Sequence, residues 1–379
     1  MELNQKIISK IGIISNKPPT YSETFITAHL KKLPTNTLFF YGRWFPLYNE
    51  NHQPIHQNSL SDQIQRQFLK KVFRQQSTQR DRKTLQQLLI KEQLDVVLAE
   101  YGMTGAAVLP VCQKSQIPLV VHFHGYDAYD QRILRKYQNI YQELFREAGA
   151  IIVVSQDMKQ QLLQLGATPE KLYYNPYGVD LSLFRQAKPA QNPPHFIAVG
   201  RFVDKKAPHL TIMAFNQVAK QYPEAKLYMV GSGFLLKKCQ RLVKSLQLSQ
   251  QVEFLGACSH EEVALKMQQA RAFVQHSVRA KSGDSEGTPV AVLEASASTL
   301  PVIATRHAGI KDVVMDNETG LLCEEGEVEV MARNMLQVIQ SPQLAQQLGK
   351  AGRERIQKYF SLETSLKNLW EILTSVAQK

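Results

Sequence analysis

Cysteine is scarce in this chain. Four residues, Cys112, Cys239, Cys258 and Cys323, are scattered over 379 positions with neither metal-ligand nor disulfide spacing. That excludes a disulfide scaffold and fits a reducing, cytoplasmic compartment. No apolar run reaches the ~18 residues needed to span a bilayer, and Met1–Gln5 lacks the basic-then-apolar order of a secretory signal. Asp-x-Asp is absent, the carboxylate pair that can hold a divalent ion on a diphosphate, so no metal is expected. Gly231-Ser-Gly233 follows a strand-like run, but Leu236 stands where a third glycine would complete a dinucleotide fingerprint. A nicotinamide site is therefore not expected.

What is present describes an ordinary globular chain with an excess of basic charge. Hydrophobic residues make up 44%, and the length suits two domains, each with its own core. The net charge of +12 favours anionic partners. It is concentrated between Asp62 and Glu92, where eight Lys and Arg (Arg66, Lys70, Lys71, Arg74, Arg80, Arg82, Lys83, Lys91) meet three acids. Ile64, Phe68 and Val72 recur there at helical spacing, which describes either a basic amphipathic helix resting on an anionic membrane or a solvated face packed on its own domain. No aromatic-interleaved basic motif points to nucleic acid.

Short β-rich runs alternate with helical ones, the pattern of doubly wound parallel sheets. In the first half the strands are expected at Lys10–Ile14, Thr37–Tyr41, Leu94–Ala99, Leu119–Phe123 and Ala150–Val154. Helices are expected near Glu23–Lys32, Ser61–Gln93, Gly102–Ser115, Ala128–Ala148 and Gln156–Leu165. The stretch Lys188–Pro194 has the composition of a linker. The second half repeats the scheme, with strands at Phe196–Val199, Lys226–Val230, Val252–Leu255, Ala272–Gln275, Val302–Ala304 and Leu321–Cys323. Its helices are expected over Pro208–Tyr222, Leu235–Leu246, His260–Gln269, Pro289–Thr299 and Glu327–Ile339, and Tyr359–Leu373 has the pattern of a last amphipathic helix. Ligands of such sheets bind at the carboxyl ends of the strands.

The stretch Ser282–Ser298 carries the strongest chemical signal. Gly287 permits a sharp bend, Thr288 is a good N-cap and Pro289 suits the first helical position, so a helix start is expected there. Free amides at such an end attract phosphate. Glu286 and Glu294, a Glu-x7-Glu pair beside an anion site, suit hydroxyl groups of a sugar and a ribose. This stretch resembles the donor-sugar motif of glycosyltransferase family 4. The resemblance implies the GT-B fold, two Rossmann-like α/β domains facing a cleft, and a retaining enzyme that uses a nucleotide-sugar. It also implies an acceptor-side domain over 1–187, a donor domain over 195–358, and a terminal helix over 359–379 that crosses back to the first domain.

Further motifs carry the same resemblance. Gly200-Arg-Phe-Val-Asp-Lys-Lys206 resembles the Gly-Arg-x4-Lys of the family, which would set Arg201 and Lys206 on the diphosphate of the donor; the family spacing selects Lys206 over Lys205, and Ala207 stands where glycine is usual. Two fixed cations there would stabilise the charge that grows on the leaving group. His122-Phe-His-Gly-Tyr-Asp127 resembles the His-Gly-x-Asp of exopolysaccharide transferases. That likeness puts His124 against the donor sugar and makes Asp127 a candidate for an acceptor hydroxyl or for orienting a neighbour; His122 is expected on the opposite side of its strand. Ser22-Glu-Thr-Phe25 resembles colanic-acid and other capsule-type transferases, with Glu23 either facing the acceptor or exposed in a first helical turn. In the 305–312 loop Lys311 and Asp312 replace the usual Pro-Glu, and only Gly309 carries over.

The implied activity is transfer of a hexosyl-type sugar from a UDP- or GDP-linked donor to a saccharide or lipid-linked saccharide acceptor, in synthesis of exopolysaccharide or another cell-surface glycan. Glu294 would hold the ribose, Glu286 the sugar, and Gly200, Gly287, Thr288, Pro289 and Val290 would line the donor. No cofactor is expected, since the nucleotide-sugar is a co-substrate. The expected location is cytoplasmic, with peripheral contact at the inner face of the membrane left open. Two alternatives stay open at this level: a sugar-nucleotide epimerase of the same architecture, and a non-catalytic nucleotide-sugar-binding subunit.

Overall fold

A computed structural model describes residues 8–20, 23–43, 45–55, 61, 64–65, 67–68 and 77–378. By internal contacts the chain divides into two units, and both are parallel α/β sheets of the Rossmann kind. The first comprises 1–154, 158–175 and 365–379; the second comprises 155–157 and 176–364. The proline-rich stretch 188–194 lies within the second unit.

Among the described residues the first unit holds seven strands: β1 (Lys10–Ser15), β2 (Asn36–Tyr41), β3 (Tyr48–Asn49), β4 (Val96–Glu100), β5 (Leu119–His122), β6 (Ala150–Val153) and β7 (Leu172–Tyr174). Their order is β3-β2-β1-β4-β5-β6-β7, all parallel except the β2–β3 edge pair. The apolar runs are buried on both faces, as a covered parallel sheet demands. Ile11, Ile13, Val96, Leu98, Val120 and Ile152 share one core with Leu369, Leu373 and Val376 of the last helix, Leu362–Ala377. That helix is therefore part of the first unit although it ends the chain.

The second unit repeats the plan with six parallel strands: β8 (His195–Val199), β9 (Lys226–Val230), β10 (Val252–Gly256), β11 (Ala272–Gln275), β12 (Val302–Thr305) and β13 (Gly320–Cys323). Their order is β10-β9-β8-β11-β12-β13. In each sheet the strand order reverses beside the first strand of the unit, between β1 and β4 and between β8 and β11. Such reversal points open a crevice at the carboxyl ends, where ligands bind.

Four helical expectations need correction. The run Ser61–Gln93 is not one helix: a helix starts at Gln79, where Thr78 and Asp81 form a capping box, and it buries Leu85 and Leu89. Ile64 and Phe68 are exposed, whereas Arg66, Lys70, Lys71, Val72 and Arg74 lie outside the described residues. Ala128–Ala148 breaks at Asp130, whose carboxylate caps a second helix by accepting from the Arg132 and Ile133 amides at 2.9 and 3.3 Å. The chain also turns between Pro342–Tyr359 and Leu362–Ala377, where the Ser361 hydroxyl accepts from the Thr364 amide at 3.1 Å. The helix of the donor stretch runs from Val290 to Ala297 with Pro289, not Thr288, as its N-cap and no side-chain cap bond. Pro289 has ψ 104°, so it is still extended, and the first helical carbonyl is its own. Among the described residues no helix is long and apolar enough to cross a membrane.

Leu373 is fully buried in the first core. Leu373→Ala should cost about 2–5 kcal/mol, seen as a lower urea midpoint for the first unit. Leu265→Ala, at a 58% exposed position, should stay within about 0.5 kcal/mol.

Candidate donor and acceptor sites

In the second unit the loop after β8 carries the two cations. Gly231 and Gly233, at φ 130° and 153°, follow β9 and press on that loop. A Cβ on Gly231 would sit 2.1 Å from the Gly200 carbonyl oxygen, and one on Gly233 would sit 2.4 Å from that of Phe202. These glycines serve close approach of backbone rather than dinucleotide binding. The loop closes in a short 3-10 turn, Asp204–Lys206, and Ala207 then takes a left-handed φ of 36° before the helix Pro208–Gln221. That conformation explains why glycine is usual at this place and gives Ala207 a steric strain.

Arg201 and Lys206 line one cavity of about 30 Å³ with Gly200, Thr211 and Gln275, at the β8–β11 reversal point. The Lys206 ammonium lies 3.2 Å from Glu286 Oε1 and 3.3 Å from Gln275 Oε1. Glu286 is 5% exposed and also accepts from the Ser277 hydroxyl at 3.3 Å. Burial alone would raise its carboxyl; the charges of Lys206 and Lys205 outweigh that and hold it down at about 2. Burial in turn drives the Lys206 ammonium below its ordinary value, with Glu286 opposing the shift. Lys205 is buried as well, and its ammonium donates to Asp284 Oδ1 at 3.0 Å and to the Ser285 carbonyl at 2.9 Å. It thus anchors the loop that presents Glu286. Glu294, 5% exposed, has Oε1 3.4 Å from His260 Nδ1. Gly309 packs on the bend at Gly287, whose carbonyl oxygen would be 1.9 Å from any Cβ placed there.

In the first unit a buried carboxylate organises the strand ends. Glu100 closes β4 and is fully buried. Its Oε1 is 2.7 Å from His29 Nδ1, and its Oε2 is 2.8 Å from His124 Nε2 and 3.5 Å from His122 Nδ1. Burial would raise this carboxyl, but the His29 charge and the hydrogen bonds from the three imidazoles keep it well below its ordinary value. His122 is pushed down to about 3, by burial first and then by the neighbouring His124. The His124 side chain is 3% exposed, stacked on Phe25 with centroids 4.6 Å apart and edge-on to Tyr101 at 4.5 Å.

His122 lies on the same side as His124, 4.4 Å between ring centroids, which overturns the expectation of opposite sides. Side chains two apart on an extended chain share a face, and it is Phe123 between them that turns into the core. The ligand atoms of His29, Glu100 and His122 fall within 4.8 Å of one another, a donor set of the type that suits zinc. Here the imidazoles surround the Glu100 carboxylate directly.

Asp127 is fully buried, and its oxygens accept from three backbone amides: Gly102 at 2.8 Å, and His124 and Gly125 at 3.0 Å each. It ties the end of β4 to the end of β5, so it orients neighbours. Glu23 is 8% exposed rather than open in a first turn. It accepts from the Thr20 hydroxyl and the Tyr101 hydroxyl at 2.6 Å each, and Lys17 lies 3.1 Å away. Beside these groups a cavity of about 210 Å³ is lined by Asn16, Arg43, Phe45, Thr104, Tyr126 and Tyr137, among others. Aromatic faces with a few polar groups form a common surface for sugar rings and apolar chains.

Glu100, His29, His307 and Glu325 were not singled out from the sequence. Glu100 had a signal, a charged residue that ends the apolar run Val96–Ala99 at a carboxyl strand end. The others meet their partners only through long-range packing.

Two family profiles match the chain: Glycosyl transferases group 1 over residues 181–355 and Glycosyltransferase Family 4 over residues 46–183. Among curated proteins, the Escherichia coli K12 glycosyltransferase WcaL, named for colanic acid biosynthesis, is 29% identical over 288 residues, 74% of this chain and 71% of that one. The amylovoran biosynthesis glycosyltransferase AmsK of Erwinia amylovora is 27% identical over 290 residues, 75% of this chain and 70% of that one. Among solved structures, Anabaena HepE in complex with UDP superposes with a TM-score of 0.74 at 18% identity, covering 97% of this chain and all of that one. Sucrose-phosphate synthase from Thermosynechococcus elongatus superposes with a TM-score of 0.73 at 20% identity, covering 96% and 98%. These likenesses are to the GT-B fold.

The Glu286–Lys206 pair makes a prediction about stability. Glu286→Gln leaves a buried ammonium without its counter-charge and should cost about 3–5 kcal/mol at pH 7. Lys206→Met in the same chain should recover much of that loss, as a double-mutant cycle in urea would measure. The folded carboxyl lies at about 2 against 4.5 in its unperturbed state. Its contribution is therefore present above about pH 4.5 and fades toward pH 2. The deficit of Glu286→Gln should shrink across that same window.

Proposed function

This chain belongs to the group 1, family 4 glycosyltransferases, and on that footing we propose that it moves a hexosyl-type sugar from a UDP- or GDP-linked donor to a saccharide or lipid-linked saccharide acceptor, with retention of configuration. The product is a growing exopolysaccharide or another cell-surface glycan, as the names of WcaL and AmsK suggest for those relatives. UDP in the HepE structure supports a nucleotide-linked donor. The observation that carries the reading is the Lys206–Glu286 ion pair, with Lys206 and Arg201 lining one cavity at the β8–β11 reversal point.

The donor diphosphate lies beside Arg201 and Lys206, in reach of the amides that start the Val290–Ala297 helix. Glu286 accepts from hydroxyls of the transferred sugar, and Glu294 from those of the ribose. As the bond between the anomeric carbon and the phosphate oxygen lengthens, positive charge grows on the sugar and negative charge on the diphosphate. The two cations stabilise the second charge without any reorganisation at the moment of transfer. The acceptor oxygen bonds to the anomeric carbon from the face that the phosphate leaves, and the departing phosphate oxygen takes its proton. No protein nucleophile enters, and the chain's own cations carry the neutralisation.

The acceptor is taken by the 210 Å³ cavity of the first unit, where Phe45, Tyr126 and Tyr137 supply ring faces. His124, held by Glu100, contributes to the sugar side of the site. Asp127 acts as a scaffold for the His124 loop and does not touch the acceptor. Peripheral contact of the 62–92 segment with an anionic membrane surface remains part of the proposal only through its net charge.

The test is a set of incubations with UDP- and GDP-sugars, with and without saccharide acceptors, followed by NMR of the products. A new glycosidic bond of the donor's own anomeric form is expected, and donor alone should hydrolyse slowly. Epimerised donor would refute transfer in favour of an epimerase, and binding without turnover would leave a non-catalytic subunit. Arg201→Ala and Lys206→Ala should each lower kcat by about 10²–10³-fold.

A further inference from the structure

The loop that presents Glu286 is held from behind by a histidine that neither the motifs nor the family comparisons single out. His307, 3% exposed, follows β12. Its Nε2 faces two groups of the donor loop: the Glu286 amide at 3.2 Å and the Ser285 hydroxyl at 2.9 Å. Its Nδ1 meets the carboxylate of Glu325, just beyond β13. Glu325 is fixed in turn, since its Oε2 accepts from the Arg279 amide at 2.8 Å.

The proton positions follow from the donors. A backbone N–H can only donate, so Nε2 must present its lone pair to Glu286. The ring proton then sits on Nδ1 and is donated to Glu325. The Ser285 hydroxyl donates to the same Nε2. One neutral tautomer satisfies every contact, and the carboxylate selects it, as an orienting acid does for a catalytic histidine.

We propose that His307 is a positioning residue of the donor site: with Glu325 setting its tautomer, its Nε2 fixes the Glu286 backbone and thereby aims the Glu286 carboxylate at the transferred sugar. This rests on the donor role proposed above for Glu286. Protonation of Nε2 would set an N–H against the Glu286 N–H and break that contact, leaving only the Ser285 hydroxyl, which would turn to accept. The charged groups around this cluster are Glu325, Glu286, Lys205, Lys206 and Asp284. His276 borders it too, because its Nε2 accepts from the Gly326 amide at 2.8 Å, next to Glu325. His307→Gln retains a side-chain oxygen that can accept from Glu286 but cannot titrate. His307→Leu retains neither property.

The experiment has two arms on the intact chain. Long-range 1H–15N correlation of 15N-histidine protein, with His307 assigned by its loss in His307→Gln, reads the tautomer without any donor present. The Nδ1–H form is expected near pH 7.5, and the Nε2–H form would overturn the proposal. The second arm is donor turnover at pH 7.5, where His307→Gln should keep most of the wild-type kcat. His307→Leu should lower kcat by about 10²-fold while its melting curve stays cooperative. A kcat in His307→Gln as low as in His307→Leu, or full turnover in His307→Leu, would also overturn it. If wild type turns over no nucleotide-sugar, the donor reading fails; the tautomer arm still reports on His307.

Discussion

A lysine ammonium held against a glutamate in a nearly dry setting is the interaction on which the second unit depends. Lys206 and Glu286 come from opposite ends of the unit's chemistry, one after β8 and the other after β11, and they close the crevice where the sheet order reverses. Neither charge tolerates burial alone, so each requires the other in place. The supporting residues follow from that requirement. Lys205 anchors Asp284 and Ser285, His307 catches the Glu286 amide, and Gly309 makes room for the Gly287 bend. A site so braced is preorganised, which is where electrostatic catalysis of group transfer gains most.

The first unit solves a similar problem with a different group. Glu100 is a buried carboxylate surrounded by His29, His122 and His124 rather than by lysine. Asp127 and Glu23 supply further fixed acceptors for backbone amides and hydroxyls, so the ends of β4 and β5 are tied together. Buried polar networks of this kind hold a geometry firmly.

Much of this was legible in the sequence, and for physical reasons. Parallel strands buried on both faces give short apolar runs, and eleven such runs, from Lys10–Ile14 to Leu321–Cys323, appear as strands with ends shifted by a residue or two. Among the described residues the two strands not anticipated, Tyr48–Asn49 and Leu172–Tyr174, are edge strands of two and three residues, too short to show a pattern. Helix ends set by local capping went astray where the cap lay inside a longer periodic run, as at Thr78, Asp130 and Ser361. Arg201, Lys206 and Glu286 could be named because spacing along a loop after a strand is local information. The Glu100 and His307 networks could not, since their partners lie 71 and 18–22 residues away and meet only when the strands align. His122 was misplaced by a slip of alternation, not by a lack of signal.

The claim at the centre is that Arg201 and Lys206 exist to hold a diphosphate. Calorimetric titration with UDP and UMP, and with GDP and GMP, tests it directly on the intact chain and on Lys206→Ala. The account predicts that the intact chain prefers one diphosphate to its monophosphate, and that Lys206→Ala loses most of that preference while its monophosphate affinity changes little. Equal affinity for mono- and diphosphate in the intact chain, or an undiminished preference without Lys206, would contradict it.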